Sequence, residues 1–192
     1  NNNLYACFGN GNYYVILNAP ASNVFTTVTV PSFNSGKVTH ISCSPNTSNR
    51  VFFGLNNGRI VKVDNAHTTT PADVNITGAG MPAGTVSCIA IENGNDNHLL
   101  ATYSNYGSNS VWETTNGGTT WTSVEGNLPD MPVRWALFNP NNPAQAIVAT
   151  ELGVWSTDLL NGGATVWGPS NNGMANVRTD MLQIRTSDKL VI

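Results

Sequence analysis

Paired carboxylates are one arrangement of side chains here that could do chemistry. Hydrolysis of a glycosidic bond needs two of them flanking one bond, with carboxyl groups about 5 to 9.5 Å apart. The chain offers Asp64, Asp73, Glu92, Asp96, Glu113, Glu125, Asp130, Glu151, Asp158, Asp180 and Asp188. Asp130 lies in the polar stretch ahead of a strand-like run beginning at Val133, and Asp180 stands at the start of the matching run that begins at Val177. That placement makes Asp130 and Asp180 the catalytic candidates. The plainer reading of both is a solvated loop acid.

Other reactive groups are sparse. His40, His67 and His98 have no His, Cys or Asp partner at ligand spacing, so no metal site is predicted. The oxygen-rich run Glu92-Asn-Gly-Asn-Asp-Asn97 could suit a hard cation, but it also has the composition of a turn. No phosphate-cradling glycine loop and no nucleophile beside a base is found, and no cofactor is implied. Arg50, Arg59, Arg134, Arg178 and Arg185 are too few and dispersed to clamp a sugar carboxylate. Cys7, Cys43 and Cys88 are too scattered for a disulfide framework and read as small buried side chains. Tyr103 and Tyr106, in and beside the loop Ser104-Asn-Tyr-Gly-Ser-Asn109, are the binding candidates. Tyrosine among Ser, Gly and Asn supplies contact area at low entropic cost.

The elements that must position these groups are strands. In Ser110-Val-Trp-Glu-Thr-Thr-Asn-Gly-Gly-Thr-Thr-Trp121 the period-2 alternation predicts a half-buried strand, and Asn116-Gly117-Gly118 predicts a tight turn. Val111–Thr115 is expected to pair with Thr120–Val124, with Thr119, Thr120 and Trp121 opening the returning strand. The pattern recurs as Ser156-Thr157-Asp158, then Gly162-Gly163, Thr165 and Trp167, with a longer turn. Trp112, Trp121, Trp135, Trp155 and Trp167 recur at matching places and are expected to wedge between sheets.

The spacing Thr114-x-Asn116-x-Gly118-x-Thr120-Trp121 resembles the Asp-box (BNR) hairpin of sialidases, sortilin-like receptors and xyloglucanase-like glycosidases, with Asn116 where the family usually has Asp. The second copy matches through Ser156, Asp158, Gly163, Thr165 and Trp167. The resemblance implies a structural corner, in which the box residues hold a hairpin together away from the central pore.

Ahead of each box lies a matching unit, starting at Val38, Val86, Val133 and Val177, about 44 to 48 residues apart. The repeated order of four strands predicts an all-β fold of β-propeller blades, each a four-stranded antiparallel sheet. The boundaries read as a partial blade at 1–35, blades at 36–83, 84–131 and 132–175, and a partial blade at 176–192. An incomplete propeller segment is therefore expected, with the remaining blades of the same or a larger chain as partners.

Composition narrows the function. Charged residues are 10% of the 192 and the net charge is -3, without a basic cluster, so nucleic acid is not an expected partner. No apolar run reaches the length of a membrane-spanning helix. Few lysines and abundant Asn, Thr and Ser point to an extracellular or cell-surface setting. The expected function is a scaffold and recognition module that binds a protein or glycan through loops on one face. Part of a xyloglucanase-like glycoside hydrolase is the first alternative, and a spacer in a large surface adhesin the second.

Overall fold

In the computed structural model the described residues are 2–9, 11–185, 187–188 and 190–192. They form an all-β fold of successive antiparallel sheets in chain order. The first sheet has three strands, β1 (Leu4–Phe8), β2 (Asn12–Ile16) and β3 (Phe25–Thr29). The second contains β4 (Val38–Cys43), β5 (Val51–Leu55), β6 (Ile60–Asp64) and β7 (Ala72–Asn75). The third contains β8 (Val86–Glu92), β9 (Asn95–Tyr103), β10 (Val111–Thr114) and β11 (Thr122–Ser123). The fourth contains β12 (Val133–Asn139), β13 (Asn142–Thr150), β14 (Gly153–Thr157) and β15 (Gly168–Pro169). A 3-10 turn at Pro31–Phe33 is the one helical element among the described residues. This is the architecture of β-propeller blades.

Each meander has its own sequence cause. β5 is Val-Phe-Phe-Gly-Leu, buried on both faces because it lies mid-sheet between neighbouring blades. Gly58 and Gly94 take positive φ in tight turns, which a side chain would strain. The inner strands β4, β8 and β12 each carry an irregularity after the first valine, at Val38/His40, Val86/Cys88 and Val133/Trp135. This repeated bulge turns His40, Cys88 and Trp135 toward the cavity between the inner strands.

The core is layered between sheets. Tyr13 and Val15 of the first sheet pack with Phe53, Val61 and Val63 of the second. Phe52, Ile60 and Ile76 pack with Ile89, Leu99, Ala101 and Trp121 of the third. Leu100, Val111 and Val124 pack with Val133, Phe138, Val148 and Trp167 of the fourth.

Two expectations about strands need correcting. Thr120 and Trp121 open no strand: the ladder pairs are Trp112↔Ser123 and Glu113↔Thr122, extended by the Val124 amide on the Val111 carbonyl. The amides of Gly118 and Thr120 are used within the turn itself and that of Gly117 goes to the Asn97 carbonyl, which leaves the ladder to start after Trp121. The run from Val177 forms no strand over its first residues. Among the described residues it has an antiparallel bridge, Ile184↔Val191, flanked by mutual backbone bonds of Gln183 and Ile192, while Leu182 covers Ala149 and Val154.

Candidate functional site

In a meander of four strands, the first and third turns of every blade lie at one end and the second turn and the exit at the other. The box turns therefore share an end with the inner-strand turns, as the bond from the Gly117 amide to the Asn97 carbonyl shows (2.9 Å). Tyr106, Glu125 and Asp130 belong to the opposite end.

The Thr114–Trp121 turn is closed by its own side chains. Thr114 Oγ1 accepts from the amides of Asn116 (3.3 Å) and Gly118 (3.0 Å) and donates to Asn116 Oδ1 (2.9 Å). Asn116 Oδ1 accepts from the Thr120 amide (2.9 Å), and its Nδ2 donates to Thr120 Oγ1 (2.8 Å). Thr114, Asn116, Gly118 and Thr120 are thus spent on the turn. The second copy sits one residue out of the register predicted from sequence. Thr157 takes the place of Thr114, accepting from the Leu159 amide (3.3 Å), and Thr165 Oγ1 accepts from the Asn161 amide (2.9 Å). Asp158 instead points outward, accepting from Gln145 Nε2 (3.3 Å), and Ser156 pairs with Ser170 (2.6 Å). The additional residues Leu159–Asn161 let the backbone close without a carboxylate. Gly163 is exposed in that turn.

Asp130 and Asp180 are both exposed, and each has its own local partner. Asp130 Oδ1 accepts from the Gly107 amide (2.7 Å), whereas Asp180 pairs with Arg178 (2.7 Å). The acid whose proton affinity Asp130 influences is Glu125. Burial pushes the Glu125 carboxyl up, the amides of Ser110 (2.7 Å) and Val111 (3.0 Å) on its Oε2 pull it back, and the Asp130 charge pushes it up again. Sequence reasoning passed over Glu125, since nothing local distinguishes it from other loop acids.

The two tyrosines separate. Tyr103 was expected on a recognition surface and is instead fully buried. It ends β9 rather than beginning the loop, and its hydroxyl donates to the Gly58 carbonyl of the preceding blade (3.1 Å). Tyr106 is 67% exposed. Its loop is pinned on both sides, by the Thr85 amide on Asn105 Oδ1 (2.6 Å), by Gly107 on Asp130, and by the Ser110 hydroxyl on the Met131 carbonyl (3.3 Å).

A cavity of about 370 Å³ lies between the inner strands, lined by His40, Cys88, Trp135, Phe138 and Ile184 among others. Burial pulls the His40 imidazole down to about 4 and pushes the Cys88 thiol up to about 12. Both are therefore neutral near pH 7. The wall is mainly apolar, with Cys43, Glu92 and Asn139 among its polar members. His98 is not the isolated histidine its sequence neighbours suggest, because Nδ1 meets Glu92 Oε2 and Nε2 meets Glu113 Oε1, each at 2.8 Å.

No protein-family model matches the chain, and no curated protein matches it. Among solved structures it is similar to the GH74 enzyme of Niastella koreensis, with TM-score 0.57 and 18% identity over 100% of this chain and 28% of that one. It is also similar to an ancestral GH74 enzyme, with TM-score 0.55 and 17% identity over 80% of this chain and 21% of that one. The β-propeller domain of Myceliophteria thermophila Cps50 (Swd1) matches with TM-score 0.53 and 17% identity, over 70% of this chain and 39% of that one. At such identities the likeness defines the fold, that of β-propeller blades. The chain spans well under half the length of each of these proteins.

Proposed function

We propose that this chain is part of an extracellular or cell-surface β-propeller of the Asp-box, sortilin-like and xyloglucanase-like kind. It recognises a protein or glycan through the loop end that carries Ser104–Asn109 and Glu125–Pro132. One observation carries the reading: Tyr106 is held out to solvent by a loop whose neighbours on both sides are fixed by hydrogen bonds. An exposed aromatic on a pre-ordered loop loses little entropy on binding. Screening the chain against immobilised glycans and secreted proteins tests it, with Tyr106→Ala compared against the unchanged chain. The expected result is a ligand whose affinity falls at least tenfold in the variant. Equal binding by both would remove the loop from the reading.

The enzyme reading is favoured by the fold likeness to two GH74 enzymes and by the Glu125 carboxyl, which burial and then the Asp130 charge push up. Glu125 would serve as the acid with raised proton affinity and Asp130 as its charged partner, acting on a polysaccharide such as xyloglucan. Its test is the release of reducing ends from xyloglucan by the unchanged chain and by Glu125→Gln. Activity in both, or in neither, counts against this pair.

A further inference from the structure

His98 is 8% exposed, and its ring is gripped from both sides. Glu92 at the end of β8 reaches Nδ1, and Glu113 in β10 reaches Nε2, both at 2.8 Å. The ring packs tilted against Phe138 of the next blade, with centroids 4.5 Å apart and planes at 52°. A carboxylate can only accept, so both contacts are hydrogen bonds only when both ring nitrogens carry a proton. A neutral imidazole would turn one lone pair toward a carboxylate. The two nitrogens also point in opposite directions, so one cation could not be shared by all three side chains.

We propose that Glu92, His98 and Glu113 form a proton-dependent clasp across β8, β9 and β10 that seats the His98 ring against Phe138 of blade 132–175 while His98 is doubly protonated, and loosens that contact when one proton leaves. The charged groups acting on the ring are Glu92 from β8 and Glu113 from β10; β12 presents the uncharged Phe138. The Asn95 amide, at 3.4 Å from Glu92 Oε2, steadies the acceptor. Burial alone pulls the His98 proton affinity down, but the bonds to Glu113 and then Glu92, with their charges, outweigh it and leave it raised above 6.5. A raised value means that the stabilisation is complete below about 6.5 and is lost as pH climbs from there through the folded value. The clasp is thus closed in mildly acidic surroundings and open in alkaline ones. No neighbouring group is called on to move a proton to or from a ligand, so the recognition reading can fail while the clasp stands.

Two measurements on the full chain test this. Nitrogen NMR of labelled histidine should show both His98 ring nitrogens protonated at pH 6, with a midpoint above 6.5. Glu113→Gln, which keeps a hydrogen-bonding side chain, should lower that midpoint by about one pH unit. A neutral single tautomer at pH 6, or an unmoved midpoint in Glu113→Gln, overturns the clasp. Junction opening is read from the labelling rate of Cys88, whose thiol faces the Ala136 carbonyl of the next blade at 3.7 Å, in a Cys7→Ser, Cys43→Ser background. The ratio of rates in His98→Gln and the background protein should be about tenfold at pH 6 and approach one as pH rises past the His98 midpoint. A ratio that does not change with pH also overturns it.

Discussion

The indole of Trp121 donates its Nε1–H to the backbone carbonyl of Ile76, 2.7 Å away in the last strand region of the preceding blade. Trp167 repeats the bond one blade later, to the Val124 carbonyl at 2.8 Å. The acceptors are equivalent, because the Ile76 amide bonds the Ile60 carbonyl (2.9 Å) as the Val124 amide bonds that of Val111 (3.0 Å). In the blade before these the same position is Asp73, which accepts from the Ser32 amide at 2.9 Å. Glycine makes room for the wedge: a Cβ on Gly78 would lie 2.6 Å from the Trp121 ring, and one on Gly118 would lie 2.6 Å from Ile76. The inner strands are laced in a parallel way. The Thr39 hydroxyl donates to the Val86 carbonyl (2.7 Å) and the Ser87 hydroxyl to the Val133 carbonyl (2.5 Å). Arg134 follows Val133 as Thr39 follows Val38, but its guanidinium turns to Glu151.

Trp121→Ala should therefore cost roughly 3 to 5 kcal/mol, since it removes a buried aromatic wedge and orphans the Ile76 carbonyl. Trp121→Phe should lose less, keeping most of the packing but not the bond. Urea denaturation of the three proteins checks the order. A Trp121→Ala variant as stable as the parent would disprove the wedge.

A second tie crosses the same junction at the box end. Asp96 accepts from the hydroxyls of Ser44 (2.6 Å) and Thr47 (2.6 Å), the Asn46 amide (2.8 Å) and Arg50 (3.1 Å) of the preceding blade. Burial raises the Asp96 carboxyl, but the four donors together outweigh it and hold it below its ordinary 3.8. Asp96→Ala strands these donors and should destabilise by roughly 2 to 3 kcal/mol. Asp96→Asn, which still accepts but loses the charge, should fall between. The stabilisation is present above pH 3.8 and disappears as pH drops through the lower folded value. Denaturation at pH 7 and pH 3 should show the parent losing stability that Asp96→Ala never had.

His40 responds to acid in the opposite sense to His98. Its ring, edge-on to Trp135 at 5.2 Å, stays neutral in the folded protein because burial draws it from 6.5 to about 4. The unfolded chain takes up a proton below pH 6.5 that the folded one refuses, so stability falls between pH 6.5 and 4, by about 3 kcal/mol at most. His40→Gln should flatten this acid limb in thermal melts across that range. An unchanged limb would mean that His40 is charged in the folded state.

The blades were legible in the sequence because the starts at Val38, Val86 and Val133 recur with strand patterns that only local chemistry has to satisfy. β4, β8 and β12 begin at those valines. Local spelling misled where the backbone spends its bonds elsewhere. Thr114 and Asn116 close their turn, yet Ser156 and Asp158 do not, since three added residues shift Thr157 into the capping place. Tyr103 looked like a loop residue because it abuts Ser104, and only the register Val86↔Tyr103 shows that it ends a strand. Clusters built from separate blades were invisible. Asp96 meets Ser44 and Arg50 some fifty residues back, and Glu125 meets Ser110 only once β10 and β11 pair.

The outer face of the first sheet is apolar and partly exposed. Leu4, Ile16 and Phe25 stand in register across β1, β2 and β3, so they share one face, where Leu4 is 52% and Phe25 57% exposed. Tyr14 packs its ring on Phe25 at 4.6 Å and extends the patch. The opposite face of this sheet, with Tyr13 and Val15, is sealed against Phe53. A sheet apolar on both sides and covered on one invites another apolar surface. The chain studied alone should therefore self-associate at micromolar concentration. Leu4→Ser with Phe25→Thr should reduce that association at least tenfold while changing stability by no more than about 1 kcal/mol, because neither side chain is buried. Light scattering against concentration, paired with thermal melts, reads both quantities. A parent chain that remains monomeric at all concentrations would show that this face needs no cover.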